Sequence, residues 1–310
     1  MSPWVLLTIY CILILVASLA GGWIPQLFRL THTRLQVATS FVAGLMLGVG
    51  VLHLLPHAWY QIKSIDRAAS WLLGGFLGMF LIQRFFHFHH HDVPDEAPEG
   101  VEETADHDTG HERNPGRAHP EPHAHDHTLA HKSARHLSWT GAAFGLTLHT
   151  LIDGFAVAAS VEVESNGGEH RGLLGLGTFL VVVLHKPFDA MAIATLMTAS
   201  GWSRSSRHLV NGLFALAIPT GMLLFEFGQG QFSGAGTIFL GSALAFAAGT
   251  FICIAASDLL PELQFHAHDR VKLSVALLAG LLLAAVIGKF ETSGHDRHEV
   301  PKQSQSSPDA

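Results

Sequence analysis

The sequence predicts an all-α integral membrane protein with eight transmembrane helices, and three observations support this. Hydrophobic residues make up 48% of the 310 residues and charged residues only 14%, whereas about 25% charged residues is usual in soluble proteins. Long, mainly apolar runs recur along the chain, and each is long enough for a helix that crosses a bilayer. Polar residues are concentrated in one central segment and at the C-terminal end.

Eight runs of roughly 17 to 25 mainly apolar residues define the domain organisation. Residues 1–86 would contain the first three helices and residues 137–290 the other five, with a loop at 87–136 and a polar tail at 291–310. No basic residue precedes the first run, so we expect a retained span and not a signal peptide. The runs lie near residues 4–28, 37–59, 70–86, 139–162, 173–199, 208–227, 237–263 and 271–289.

Lysine and arginine residues predict the orientation of the chain. The connections after the first, third, fifth and seventh spans hold eleven of them, and the opposite side holds six. The positive-inside rule then places the central loop in the cytoplasm and both termini outside. We expect the plasma (inner) membrane as the location and the lipid bilayer as a partner. Net charge is −7 and no basic cluster occurs, so no nucleic-acid partner is expected.

The central loop has an unusual composition. Residues 87–136 contain twelve histidines, many acids and prolines, and few large aliphatic residues. Such a segment cannot bury a core, which predicts a disordered cytoplasmic loop. Its dense histidine groups are candidates for weak metal binding: His87, His89, His90, His91, His123, His125 and His127.

Ionisable side chains occur inside the predicted spans as four pairs with a spacing of four residues. That spacing places both members on one face of a helix. Ionisable groups within a span are costly unless they are paired or hydrated, and they are therefore functional candidates. The pattern predicts a metal pathway in preference to structural polar contacts or a proton relay. The pairs are His53/His57, His149/Asp153, His185/Asp189 and Asp258/Glu262.

Depth assigns a role to each pair. His149 and His185 fall near the middle of the fourth and fifth spans, so they and their partners Asp153 and Asp189 are expected to form a midplane metal site. The histidine pair of the second span lies near the outer mouth and predicts the entrance. The carboxylate pair of the seventh span lies near the cytoplasmic end and predicts the exit.

The ligand types indicate the ion. Two imidazoles and two carboxylates suit Zn²⁺, and also Cd²⁺, Fe²⁺, Mn²⁺ or Co²⁺, with no thiolate to favour Cu(I). The ion would be the transported substrate, and no cofactor is expected. Lys186 stands beside His185 and should repel a second cation. We therefore expect one central ion, with Lys186 in place of a second charge through a pair with Asp189 or Asp153.

Several motifs resemble one family of transporters. The stretch His149-x-x-x-Asp153-Gly154 resembles the fourth-helix motif of the ZIP (Zrt/Irt-like) divalent metal transporters. His-Leu-Leu-Pro-His-Ala at 53–58 and Asp-Leu-Leu-Pro-Glu at 258–262 resemble motifs of its second and seventh helices. The resemblance implies uptake of divalent metal toward the cytoplasm, a homodimer, and an elevator-like motion of one helix bundle past another.

The fifth-helix motif departs from the family pattern. The common form is His-x-x-Pro-x-Glu, whereas this chain has His-Lys-Pro-Phe-Asp at 185–189. In members with two metals the residue after each first histidine is a ligand, but here those residues are Thr150 and Lys186. This departure from the family pattern argues against a two-metal site and agrees with the single central ion expected from Lys186.

Two other classes of function remain compatible with the sequence. A membrane-embedded zinc hydrolase could use His149, Asp153 and His185 to hold a zinc ion that activates water. A metal sensor could use the histidine-rich loop. An enzyme needs no ligands on both sides of the membrane, so transport is the preferred interpretation and no enzymatic activity is expected.

Overall fold

The computed structural model describes residues 2–23, 32–86, 127–166, 173–231, 236–259 and 270–292. Helices α1 to α10 account for nearly all of these residues, together with two short π-helical turns at Gly50–Leu54 and Ala255–Leu259. The helices are α1 Pro3–Gly21, α2 His32–Val49, α3 Leu55–Ile62, α4 Ile65–Phe86, α5 His127–Ser165, α6 Leu176–Ala199, α7 Arg204–Ala215, α8 Ala217–Gln231, α9 Gly236–Ile254 and α10 Arg270–Thr292.

The prediction of an all-α protein with eight membrane spans is confirmed. The described residues include eight helical stretches that are long and apolar enough to cross a bilayer. The helices α2 and α3 form one of them, joined through the first π-helical turn, and α7 and α8 form another. Many large apolar side chains remain exposed, such as Val271 at 76%, as expected for surfaces that face lipid.

One helix begins earlier than its apolar run. The composition predicts disorder up to residue 136, whereas α5 begins at His127. Residues 127–136 contain alanine, leucine, lysine and arginine, which favour helix, so the helix can continue beyond its apolar part. The rest of the predicted loop lies outside the described residues.

The π-helical turns share a sequence context. Pro56 follows the first turn, and Pro261 follows the second by two residues in the sequence. Proline has no N–H to donate, and its ring collides with the carbonyl one turn earlier. A locally wider turn relieves that conflict and changes the direction of nearby side chains. The first such turn contains His53.

The helices pack as two bundles. In the first bundle, α10 packs on α2 while α9 packs on α3 and α4; in the second, α5 packs on α8 and α6, and α6 packs on α1. Contacts of α9 with α5 and of α2 with α6 join the two bundles. The motifs that carry His149 and His185 therefore lie together in the second bundle.

Glycines allow close backbone contact within the first bundle. A Cβ at Gly44 would overlap the carbonyl oxygen of Leu277 on α10, and a second glycine follows four residues later at Gly48, a spacing that favours close helix contact in lipid. The same spacing occurs at Gly74 and Gly78, but no atom lies within 4 Å of a Cβ placed at Gly74. The neighbouring Gly75 makes the close contact instead, against the carbonyl oxygen of Phe246 on α9. Helix rotation favours one of two adjacent glycines, which spacing alone does not distinguish.

Candidate metal centre

The motif helix α5 is held in position by a glycine contact. A Cβ at Gly154 would overlap the carbonyl oxygen of Ile218, and a Cβ at Gly221 would overlap that of Leu151. Both glycines therefore let α5 and α8 approach at backbone distance. The glycine of the His-x-x-x-Asp-Gly motif thus has a packing role that also fixes the placement of Asp153.

Four predicted ligands converge between α5 and α6. His149, Asp153, His185 and Asp189 each offer one ligand atom, and these atoms all lie within 4.8 Å of one another. Asp153 Oδ2 lies 3.3 Å from His149 Nε2 and 3.1 Å from His185 Nε2. Asp189 Oδ2 lies 3.7 Å from each of the same two nitrogens. The four side chains are buried or nearly so.

These separations can be compared with a tetrahedral ion. Metal–ligand bonds of about 2.0–2.2 Å to nitrogen and oxygen imply a ligand-to-ligand distance of about 3.3–3.6 Å. The four nitrogen–oxygen separations, from 3.1 to 3.7 Å, cover that range. The spacing of these nitrogen and oxygen atoms therefore suits one tetrahedral ion.

The hydrogen bonding of His185 sets its tautomer. Its Nδ1 donates to the Val181 carbonyl oxygen at 2.8 Å, so the neutral ring presents the lone pair of Nε2 to the cluster. Metal-binding histidines are commonly oriented by such a bond. Among the described residues, His149 Nδ1 and Asp153 Oδ1 are buried without a hydrogen-bond partner.

Lys186 lies inside the cluster. Its Nζ donates to Asp153 Oδ2 at 2.5 Å and to Asp189 Oδ2 at 2.8 Å. It also donates to the Thr150 hydroxyl at 3.0 Å, and the side chain is fully buried. Lys186 therefore contacts both carboxylates, where the sequence left the choice between them open.

The predicted entrance residues lie near the C-terminal end of α5. His53 Nε2 is 3.2 Å from Glu164 Oε1, and the His57 ring centroid is 4.6 Å from that of His53. His57 Nδ1 donates to the His53 carbonyl oxygen at 2.8 Å. His53 is thus placed against α5 near its C-terminal end.

Glu164 was not predicted as a site residue. The apolar run of the fourth span ends at residue 162, whereas α5 continues to Ser165. Helical periodicity could have found it, because Glu164 follows Asp153 by about three turns and so lies on nearly the same face of α5.

The predicted exit residues lie largely outside the described part of the chain. The backbone of Asp258 belongs to the second π-helical turn, but its side chain and Glu262 lie outside the described residues. The seven candidate histidines of the loop also lie outside the described residues, except that the backbone of His127 is described at the start of α5. Their roles stay predictions.

Comparison with known proteins identifies relatives that cover most of the chain. Residues 5–288 match the family model described as ZIP Zinc transporter. The chain is 23% identical to zinc transporter ZIP9 of Xenopus tropicalis over 286 residues. The alignment covers 83% of this chain and 84% of that protein. It is 26% identical to mouse zinc transporter ZIP13, over 89% of this chain and 73% of the relative.

A third relative is longer than this chain. The mouse zinc transporter SLC39A7 is 26% identical over 84% of this chain but only 64% of its own length. The family match includes all eight membrane spans and the four converging ligands. The chain therefore belongs to the ZIP zinc transporter family.

Proposed function

We propose that this protein transports divalent transition-metal ions, zinc first among them, toward the cytoplasm through a single midplane site. The observation that carries the proposal is the convergence of His149, Asp153, His185 and Asp189 from two packed helices. Because ionisable groups are costly within a bilayer, four of them around one point indicate a function that needs them.

The donor set supports a transition metal as the substrate. Two imidazole nitrogens and two carboxylate oxygens match the ligands of zinc, and they also suit Cd²⁺, Fe²⁺, Mn²⁺ and Co²⁺. Mg²⁺ and Ca²⁺ prefer sites made of oxygen alone. The relatives that share the family match are named zinc transporters, which favours zinc among the candidates.

Lys186 places a positively charged group of the protein inside the site. In the absence of an ion its ammonium group compensates Asp153 and Asp189, which avoids two unpaired carboxylates in a low-dielectric interior. An arriving divalent ion would compete with the ammonium group for Asp153 Oδ2 and Asp189 Oδ2, and Lys186 would keep its contact with the Thr150 hydroxyl. Because this ammonium group repels a further cation, the site would hold one ion at a time.

The route extends to both sides of the membrane. Ions would enter from the outside near His53 and His57, and Asp258, Glu262 and the histidine-rich loop would accept them in the cytoplasm. We further propose a homodimer in the plasma membrane, in which the bundle that carries the ligands moves against the other. Alternating access around a midplane site is the general logic of secondary transporters.

Uptake into proteoliposomes tests the proposal. Purified protein would be compared for Zn²⁺, Cd²⁺, Fe²⁺, Mn²⁺ and Mg²⁺, with the His149→Ala variant in parallel. We expect saturable transition-metal uptake that the variant loses. The control is the His208→Ala variant. His208 is an exposed histidine on α7 that accepts a hydrogen bond from Trp23 at 3.2 Å, and metal uptake by this variant should stay normal.

Two outcomes would contradict the proposal. Normal uptake by a folded His149→Ala variant would remove the central site from the transport route. Metal binding without any flux would instead favour an enzyme or a sensor.

A further inference from the structure

A line of buried polar contacts follows the α5–α6 interface away from the central site. Two turns beyond Asp153, the Ser160 hydroxyl lies 2.7 Å from that of Thr178, and both residues are fully buried. About three turns beyond Asp153, Glu164 Oε2 accepts the backbone N–H of Gly175 at 2.9 Å. At 1.5 Å per residue, Glu164 lies about 16 Å from Asp153 along the helix.

The outer end of this line meets the other bundle. His53 belongs to the first π-helical turn, between α2 and α3, and its Nε2 lies 3.2 Å from Glu164 Oε1. The exposed fraction of the two side chains is 3% and 10%. This contact therefore joins the two bundles by a pair of metal-binding side chains in a nearly buried position.

The geometry of the pair suits a shared ion. Its nitrogen–oxygen separation of 3.2 Å is close to the separations of 3.1 to 3.7 Å in the central cluster. An ion bonded to both atoms at about 2.0–2.2 Å would need them about 3.3–3.6 Å apart. The Gly175 N–H holds Glu164 Oε2, so Oε1 is the oxygen directed toward the imidazole.

We propose that His53 and Glu164 form an outer binding site for a divalent transition-metal ion, which they bridge from opposite bundles. The site rests on the proposed function for its place at the entrance, and it adds Glu164 as a residue of the pathway. Two protein ligands would bind an ion more weakly than the four central ligands. Weak binding suits a station from which the ion must leave again.

Protection of a thiol tests the site independently of transport. Zinc also binds thiolate, so the Glu164→Cys variant keeps a possible ligand beside His53. The rate of its alkylation by a small maleimide would be measured in purified protein with and without Zn²⁺. At a Zn²⁺ concentration about ten times the Kd of the site, mass action predicts alkylation about tenfold slower.

The controls isolate the pair. Adding His53→Ala to the Glu164→Cys variant should abolish the protection, whereas adding His149→Ala should leave it unchanged. Glu162→Cys is the matched control on the same helix, because Glu162 accepts hydrogen bonds from Asn166 and Gln229 and should show no protection that depends on His53. The parent protein, with Cys11 and Cys253, gives the background rate.

The outcomes separate this site from the central one. Protection that requires His53 and survives His149→Ala supports the outer site even if no flux is detected. An alkylation rate that Zn²⁺ does not change, or changes equally after His53→Ala, would mean that the pair is only a structural contact between bundles and would overturn the proposal.

A second measurement addresses the role in transport. In the uptake assay, Glu164→Gln should raise the KM for Zn²⁺ several-fold with little change in maximal rate, because the loss affects capture of the ion. Glu162→Gln should leave both parameters as in the parent protein. An unchanged KM in Glu164→Gln would overturn the assignment of Glu164 to the pathway.

Discussion

The α5–α6 and α4–α9 interfaces are both contacts between membrane helices, but they are built from different groups. Between α4 and α9 a Cβ at Gly75 would overlap the Phe246 carbonyl oxygen, and a Cβ at Gly249 would overlap that of Leu72. Between α5 and α6 the contact runs through Asp153 with His185 and through Ser160 with Thr178. The α4–α9 interface depends on close backbone approach together with a neutral polar contact, in which Gln83 accepts from Cys253 Sγ at 3.6 Å. The α5–α6 interface depends on buried polar side chains that include ionisable ones.

The difference between the two interfaces distinguishes groups that hold helices together from groups that serve a function. Small residues and neutral polar contacts associate helices in lipid, as at the α4–α9 contact. A stable bundle therefore does not require histidines, carboxylates and a lysine in its interior, and the fully buried Asp153 and Lys186 are better explained by the ion. Substitutions in the polar interface should change transport, alone or together with stability, whereas substitutions in the glycine interface should change stability alone.

The largest effect is expected at the shared carboxylate. Asp153 Oδ2 contacts His149, His185 and Lys186, so Asp153→Asn removes the charge that all three share. Loss of residues that only orient metal ligands costs about 10–100-fold in affinity or activity, and we expect loss of this ligand to lower zinc uptake by at least about 100-fold. Uptake into proteoliposomes measures it, with Glu162→Gln on the same helix as the control. Uptake near the parent rate would remove Asp153 from the site.

The next effect is expected at the buried lysine, and it concerns stability. Lys186→Met leaves Asp153 and Asp189 without their cation, and breaking a buried ion pair in this way costs about 3–5 kcal/mol. Thermal unfolding in detergent should show a lower Tm. Zn²⁺ should raise that Tm more than it raises the Tm of the parent protein, because a bound divalent ion replaces the missing charge.

A lysine outside the cluster provides the control for that substitution. Lys63 is exposed at the end of α3, with its Nζ 5.0 Å from the Tyr60 ring centroid. Lys63→Met should therefore change the free energy of unfolding by no more than about 1 kcal/mol. An equal loss of stability in the two variants would show that Lys186 does not compensate the carboxylates.

The sequence predicts the central site better than its surroundings because a spacing of four residues on a helix is a local property. His149 and Asp153 need only the helix to share a face, and the apolar run supplies it. The partner of Lys186 remained open in the sequence, since Asp153 and Asp189 lie on different helices whose relative rotation no local pattern fixes. Glu164 was missed for a related reason: the role proposed for it depends on its contact with His53, which is distant in the chain and belongs to the other bundle.

The same limit explains the glycines. Gly74 and Gly75 are adjacent in the sequence, and the orientation of α4 against α9 decides which one makes the contact. The small-residue spacing fitted both Gly44 and Gly74, but only the first of these meets a neighbouring backbone. A motif that describes one helix therefore predicts that a close contact can form, whereas the partner helix determines where it forms.

The smallest effect is expected from a matched pair of glycine substitutions in α4. Gly75→Ala places a Cβ against the Phe246 carbonyl oxygen, and such overpacking typically costs about 1–3 kcal/mol. At Gly74 the space for a Cβ is open, and alanine favours helix over glycine by up to about 1 kcal/mol. Gly74→Ala should therefore be neutral or slightly stabilising, as measured by thermal unfolding in detergent. Because the two variants introduce the same methyl group at adjacent positions, a lower Tm for Gly74→Ala than for Gly75→Ala would contradict the α4–α9 packing. Zinc affinity should be unchanged in both variants, since the central ligands lie in the other bundle.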